Sequence, residues 1–97
     1  MIERSAAGLR VTGPMLIDTA RSLLQMGRDL LRSASGQPEI VLDFAAVEET
    51  DSSALGVVFG LLRTAEECGV KMRIANPPPS MISLASLYGV SESLSLA

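Results

Sequence analysis

The sequence has no histidine and no tryptophan, and it holds a single cysteine among 97 residues. The absence of histidine removes the commonest general base and metal ligand. One cysteine, Cys68, can form neither an internal disulfide nor a cysteine-pair zinc site, and the sequence has no GxxxxGK[ST] phosphate-binding loop. These absences predict no metal and no cofactor, and they favour a binding or regulatory module over an enzyme.

Features of nucleic-acid-binding and membrane proteins are also lacking. The net charge is −3, the eight Lys and Arg residues are scattered, and aromatic residues make up only 3%, so neither a basic patch nor a base-stacking platform is expected. No apolar run approaches the ~20 residues of a membrane span, and the first residues do not resemble a signal peptide. A single cysteine favours a reducing compartment. We therefore expect one cytoplasmic domain over residues 1–97.

Hydrophobic periodicity predicts the order of the elements. Alternation of apolar and polar residues predicts strands, and apolar residues at helical spacing predict helices. The run 40–45 is apolar without clean alternation, which predicts a strand covered on both faces. Asp18 is expected at the start of the first helix and Gly69 just after the second. The predicted strands are 2–4, 9–12, 40–45 and 70–74, and the predicted helices are 18–34, 53–68, 80–88 and a short turn at 91–96.

This order predicts an α/β fold class. Strand–helix–strand units require crossover connections, which produce parallel strands. The turn expected at residues 5–8 makes 2–4 a short partner strand for 9–12. The expected architecture is a small mixed four-stranded sheet with helices packed mainly on one face.

The segment from Thr50 to Gly56 stands between a predicted strand and the second helix, and it places Asp51, Ser52 and Ser53 at a helix start. Backbone N–H groups there lack intrahelical partners, and the helix dipole favours negative charge. One of the three side chains can cap the helix. Ser52 could instead accept a phosphate or contact another protein, and capping alone does not explain three such residues in a row.

The second helix has an unusual outer side. A helical wheel groups Ala54, Val57, Leu61 and Ala65 on the core side, with Cys68 as a further packing residue. The outer side carries Gly56, Phe59, Gly60 and Arg63. Because glycine costs ~1 kcal/mol relative to alanine inside a helix, this face is interpreted as a docking surface. The alternative is that Phe59 folds back over the sheet and the glycines have no function.

Asp43 is expected to be a buried acid that needs hydrogen bonds, and it could support the loop that leads to Asp51. An acid/base pair of Asp43 and Asp51 is disfavoured, because no nucleophile or metal-ligand set accompanies it. A hydrolase using the serines is the weakest alternative, since the only lysine, Lys71, is distant in sequence.

These residues resemble a known family. The segments Val41-Leu42-Asp43-Phe44 and Thr50-Asp51-Ser52-Ser53-Ala54-Leu55-Gly56-Val57 are similar to the central signature of STAS domains (sulfate transporter and anti-sigma-factor antagonist). The resemblance covers residues 9–94. It implies a β-sheet and α-helix sandwich without catalytic machinery of its own.

Two branches of the family are compatible with the sequence. The segment Gly13-Pro14-Met15-Leu16, the loop Asn76-Pro77-Pro78 and the ending Ser83-Leu84-Ala85-Ser86-Leu87-Tyr88-Gly89-Val90 resemble the MlaB branch, the cytoplasmic STAS subunits of phospholipid-transport ABC systems that maintain outer-membrane lipid asymmetry. This resemblance implies that Ser52 and the start of the second helix bind the ATPase subunit and support its activity. Membrane association at the inner face of the inner membrane would then be indirect.

The second branch is the anti-sigma-factor antagonists. Their similar segment carries a serine that a partner kinase phosphorylates, and this serine matches Ser52. Ala54 replaces the usual glycine. The predicted partner is an ABC-transporter ATPase subunit, with an anti-sigma-factor kinase as the alternative, and the predicted contact residues are Asp51, Ser52, Ser53, Gly56, Phe59, Gly60 and Arg63.

Overall fold

A four-stranded mixed sheet forms the centre of the structure, a computed structural model that describes residues 1–6, 8–34, 37–87 and 89. The strand order is β1-β2-β3-β4, with β1 antiparallel to β2 and the other neighbours parallel. The α/β fold class and the mixed sheet are confirmed. The strands are β1 (Ile2–Ser5), β2 (Gly8–Thr12), β3 (Glu39–Ala46) and β4 (Lys71–Ala75), and the helices are α1 (Ile17–Ser33), α2 (Ser53–Glu67) and α3 (Pro79–Leu87).

One face of β3 is buried and the other is not. Ile40, Leu42 and Phe44 are each at most 1% exposed, whereas Val41 and Asp43 on the opposite face are only partly buried. The expectation that β3 is covered on both faces is therefore wrong for the described residues. Val41 concealed the alternation, because it is an apolar residue on the more open face.

Helices α1 and α2 pack closely against each other because each presents a glycine to the other. A Cβ atom at Gly27 would lie 2.5 Å from a methyl carbon of Leu61, and a Cβ atom at Gly60 would lie 2.7 Å from a methyl carbon of Leu24. Such distances are well below van der Waals contact, so the two glycines permit this approach. The Nε of Arg28 also donates a hydrogen bond to the buried hydroxyl of Thr64, at 3.2 Å.

The ends of the helices differ in detail from the prediction. Helix α1 begins at Ile17 rather than Asp18, and its N-cap residue is Leu16, whose N–H donates to the Thr19 hydroxyl at 3.1 Å. Gly69 has a φ of 72°, as expected for the residue that follows a helix. The predicted helical turn at 91–96 lies outside the described residues. In the part of the chain that is described, every helix is too short or too polar to cross a membrane.

Candidate partner-binding site

Two loops come together where β2 and β3 end, and they bring the starts of α1 and α2 side by side. The N–H of Met15 donates to the carbonyl of Glu49 at 2.8 Å, and the N–H of Asp51 donates to the carbonyl of Met15 at 3.2 Å. The hydroxyl of Thr50, in the same loop, is hydrogen-bonded to that of Ser80 in the first turn of α3. The starts of all three described helices therefore lie together at the end of the sheet where β2 and β3 terminate.

Asp51 caps two helices with one carboxylate. Its Oδ2 accepts a hydrogen bond from the N–H of Ile17 at 3.0 Å, in the first turn of α1. Its Oδ1 accepts from the N–H of Ser53 at 2.9 Å and also from the Ser53 hydroxyl, in the first turn of α2. The acid of the sequence motif is thus a structural link between α1 and α2.

The pKa of the Asp51 carboxyl is lowered from its ordinary value. The largest cause is the hydrogen bond from the Ser53 hydroxyl, which stabilises the charged form. Partial loss of solvent raises the pKa, and the N–H groups of Ile17 and Ser53 lower it. The net effect keeps Asp51 ionised, which also suits the positive ends of two helix dipoles.

The first N–H groups of α2 already have acceptors. The N–H of Ser53 is bound by the Asp51 side chain, that of Ala54 by the Asp51 carbonyl at 3.0 Å, and that of Leu55 by the Ser52 carbonyl at 3.2 Å. Unpaired donors at the start of a helix are what attract a phosphate. The start of α2 therefore has few free N–H donors for an anion, and the helix dipole is the main attraction that remains.

Ser52 differs from its two neighbours because its side chain is free. The residue is exposed, and its hydroxyl makes no hydrogen bond to any described residue. Ser53, in contrast, is half-buried and its hydroxyl is bound to Asp51. Of the two hydroxyls in the motif, only that of Ser52 is available to a partner.

Four residues along α2 form a continuous strip that starts at Ser52. Their spacing of four, three and four residues places them on one side of a helix, over a length of about 16 Å. Gly56 and Arg63 are exposed, whereas Phe59 is half-buried and packs against the core. We call this strip the α2 surface; it consists of Ser52, Gly56, Phe59 and Arg63.

The prediction that Gly60 lies on the outer side of α2 is wrong. Gly60 is half-buried and faces Leu24 of α1, so it does not lie on the outer side of α2. Gly56 is different, because a Cβ atom there would have nothing within 4 Å. Of the two glycines singled out in α2, one serves helix packing inside the protein and the other has no such neighbour.

Asp43 is not the buried acid that the sequence suggested. It is partly exposed, and its Oδ1 accepts hydrogen bonds from the Asn76 side chain at 3.0 Å and the Ala45 N–H at 2.9 Å. These two bonds, that of Asn76 first, lower the pKa of Asp43, and the charge of Arg10 adds to the effect. Asp43 thus joins β3 to the loop after β4 and makes no direct bond to Asp51.

Sequence reasoning missed Ile17. This residue begins α1, donates its N–H to Asp51, and leaves 75% of its surface exposed. The only available signal was an apolar residue just before the predicted helix start at Asp18. No cluster of three or more potential metal ligands occurs within residues 1–6, 8–34, 37–87 and 89.

Comparisons with known proteins identify the fold and the family. A family model described as Mlab, STAS domain, matches residues 2–96. Among solved structures, the chain is similar to a candidate anti-sigma-factor antagonist from Thermotoga maritima, with a TM-score of 0.75, 18% identity, and coverage of 99% of this chain and 83% of that chain. A search of curated proteins found no match.

Two further solved structures share the fold. The phosphorylated form of the Bacillus cell-fate determinant SpoIIAA has a TM-score of 0.68 and 19% identity, covering 100% of this chain and 89% of that chain. A sulfate transporter family protein from Wolinella succinogenes has a TM-score of 0.65 and 16% identity, covering 88% of this chain and 67% of that chain. At such identities the similarity shows the fold alone.

Proposed function

Because the chain belongs to the Mlab STAS domain family, we propose that it is a non-catalytic accessory subunit of a phospholipid-transporting ABC complex. STAS domains mediate protein–protein interactions and are generally regulatory or accessory. The proposed partner is the ATPase subunit, which the chain would bind and support in the cytoplasm at the inner face of the inner membrane. Association with the membrane would be indirect, through the complex.

One observation carries this proposal: the motif that resembles the family leaves a single side chain, Ser52, free and exposed at one end of the α2 surface. Asp51 and Ser53 bond to each other and to the helix starts. These bonds hold the backbone of Ser52 in one position. A serine held in this way supports a partner contact with a fixed geometry. Such a contact requires no catalytic group near the serine.

Gly56 supports the same interpretation. A glycine inside a helix lowers stability by ~1 kcal/mol relative to alanine, and nothing inside the described protein requires a glycine here. A missing side chain on an exposed helix face lets another chain approach the backbone closely. We therefore propose that the ATPase packs directly over Gly56.

Arg63 adds a charge at the other end of the α2 surface. Its side chain is exposed and forms no ion pair or hydrogen bond with any described residue. An arginine in this position favours a carboxylate on the partner, because a guanidinium can bind both carboxylate oxygens at once. The partner-facing residues we propose are those of the α2 surface, with Asp51 and Ser53 holding Ser52 in place.

Binding of the purified chain to the cognate ATPase subunit tests the proposal directly. The native protein should bind and raise the ATPase activity. Ser52→Arg should weaken binding at least tenfold, because a long charged side chain replaces a small hydroxyl at the contact. Ser86→Arg, which changes an exposed serine near the far end of α3, is the matched control and should bind normally. Failure of the native protein to bind would reject the proposal.

A second candidate function is an anti-sigma-factor antagonist switched by phosphorylation of Ser52. The exposed, unpaired hydroxyl of Ser52 favours it, since a kinase needs such a group. A phosphate adds about −1.5 to −2 charges at pH 7, and here it would stand beside the ionised Asp51 with few free N–H donors. The added charge would therefore repel an acidic partner instead of ordering the loop.

Intact-mass measurement separates the two functions. The chain is incubated with an anti-sigma-factor kinase and ATP, and the mass of one phosphate is sought. A phosphate that disappears in Ser52→Ala, together with no binding to the ABC ATPase, would establish the second function. ATPase binding without phosphorylation would establish the first.

A further inference from the structure

Ile17 is an unusual residue for an exposed helix start. Helices usually begin with Ser, Thr, Asp or Asn, whose side chains accept bonds from the first N–H groups. Here the N-cap is Leu16, which has no side-chain cap, and the first helical residue is an isoleucine that is 75% exposed. Asp51 supplies the missing acceptor from another part of the chain. The start of α1 is thus apolar where local capping alone would favour a polar residue.

The same bond fixes Ile17 beside the α2 surface. One oxygen of the Asp51 carboxylate binds the Ile17 N–H at 3.0 Å, and the other binds the Ser53 N–H at 2.9 Å. Ser52 lies between Asp51 and Ser53 in sequence. The backbone at Ile17 is therefore held against the segment that carries Ser52, and the exposed isoleucine starts α1 beside the start of α2.

The α2 surface and Ile17 together have a charged residue at each end, and these charges indicate the chemistry of a complementary partner. Asp18, next to Ile17, is exposed and makes no bond to the other described residues, and Arg63 at the far end is likewise exposed and unpaired among them. A complementary partner would present a basic group near Asp18, an apolar pocket for Ile17, and a carboxylate near Arg63. Opposite charges at the two ends would fix the orientation of that partner.

We propose that the contact with the ATPase subunit extends from the α2 surface onto α1, with Ile17 seated in an apolar pocket of the ATPase. This inference rests on the proposed function and adds the second helix to it. The side chains that contribute most to protein–protein binding lie in well-packed, desolvated pockets, and such a pocket would cover the exposed surface of Ile17.

Affinity for the ATPase subunit, measured for Ile17→Ala, tests the inference. We expect the affinity to fall about tenfold, as for truncation of one of the few interface side chains that carry most of the binding energy. The melting temperature should stay the same or rise, because alanine is a better helix former than isoleucine. Leu87→Ala is the matched control: Leu87 is 76% exposed and lies at the far end of α3. It should bind normally.

The outcomes separate this inference from the proposed function. Weaker binding by Ile17→Ala with normal binding by Leu87→Ala supports both. If the native chain binds, Ser52→Arg binds poorly and Ile17→Ala binds like the native chain, the contact does not reach α1 and the inference is overturned, while the proposed function stands. If the native chain does not bind the ATPase at all, both are overturned.

Discussion

The carboxylate of Asp51 accepts a hydrogen bond from the backbone N–H of Ile17 at 3.0 Å, across 34 positions of sequence. The same carboxylate caps α2 through Ser53. The acid of the motif therefore belongs to the framework that joins the two helices. Ser52, which this framework holds but does not bond through its side chain, is the group that remains for a partner.

The lowered pKa of Asp51 predicts a dependence of stability on pH. Because the folded-state pKa lies below the unfolded value of about 3.9, this group stabilises the fold above about pH 4, and the contribution is lost as the pH falls through the folded pKa. Asp51→Asn should lower the free energy of unfolding at pH 7 and reduce its decline in acid. Urea unfolding between about pH 6 and pH 2 measures both effects.

Asp18→Asn is the control for that measurement. It removes the same charge from the exposed first turn of α1, but it leaves the bridge between the helices intact. Its effect on stability at pH 7 should be the smaller of the two. An equal effect of both variants would show that charge, rather than the bridge, accounts for the contribution of Asp51.

Two glycine substitutions should change stability in opposite directions. Gly56→Ala adds a methyl group where nothing lies within 4 Å, so the free energy of unfolding should rise by up to about 1 kcal/mol. Gly27→Ala places a Cβ atom 2.5 Å from the fully buried Leu61, so the free energy of unfolding should fall by about 1–3 kcal/mol. Thermal unfolding of the isolated chain measures both.

The Gly56→Ala variant also tests the proposed contact with the ATPase. If the ATPase packs over Gly56, the variant should bind more weakly although it is more stable than the native chain. This combination distinguishes a contact site from a general defect in folding. A variant that is more stable and binds normally would show that Gly56 lies outside the contact.

Arg63→Glu should weaken ATPase binding, because a reversed charge would face the carboxylate proposed for the partner. Reversal of a charge at the edge of an interface acts mainly on the association rate and is sensitive to salt. Lys71→Glu is the control, since the side chain of Lys71 is also exposed and unpaired among the described residues but lies at the start of β4, away from the helix starts. Association rates at low and high salt would measure the effect, and equal losses for the two variants would contradict it.

Asn76→Ala should raise the pKa of Asp43. The Asn76 amide is the largest cause of the lowered value, and its removal leaves the Ala45 N–H as the remaining hydrogen bond. Titration of the carboxyl group by NMR measures the change. A pKa that does not move would show that the backbone bond and Arg10 alone set the value.

The sequence was most informative where a pattern is local. Alternation in 70–74 and helical spacing in 53–68 predicted β4 and α2 to within one residue, because side-chain direction follows the backbone period. The helical wheel correctly predicted that Gly56 and Arg63 are exposed. It failed at Gly60 because a helical wheel separates inside from outside but does not show that a second helix covers the side of the first.

The long-range bond between Asp51 and Ile17 was also beyond local reasoning. A carboxylate before a helix predicts a cap for that helix, and the sequence indicates no second helix that needs the same acceptor. The burial of Asp43 was misjudged for a related reason, since an apolar run does not show which face of a strand is open. Both errors concern groups whose partners are distant in the chain.

By itself, the sequence determined the α/β class, the order of the elements and the motif at Asp51-Ser52-Ser53, because these depend on periodicity and on residues close together in the chain. Only the tertiary structure decided the role of each residue. It assigned Asp51 and Ser53 to helix capping, Gly60 to the contact with α1, and Ser52 to an exposed and unpaired position. The physical reason is that a side chain becomes available to a partner only when the protein's own distant groups leave its polar atoms unbonded.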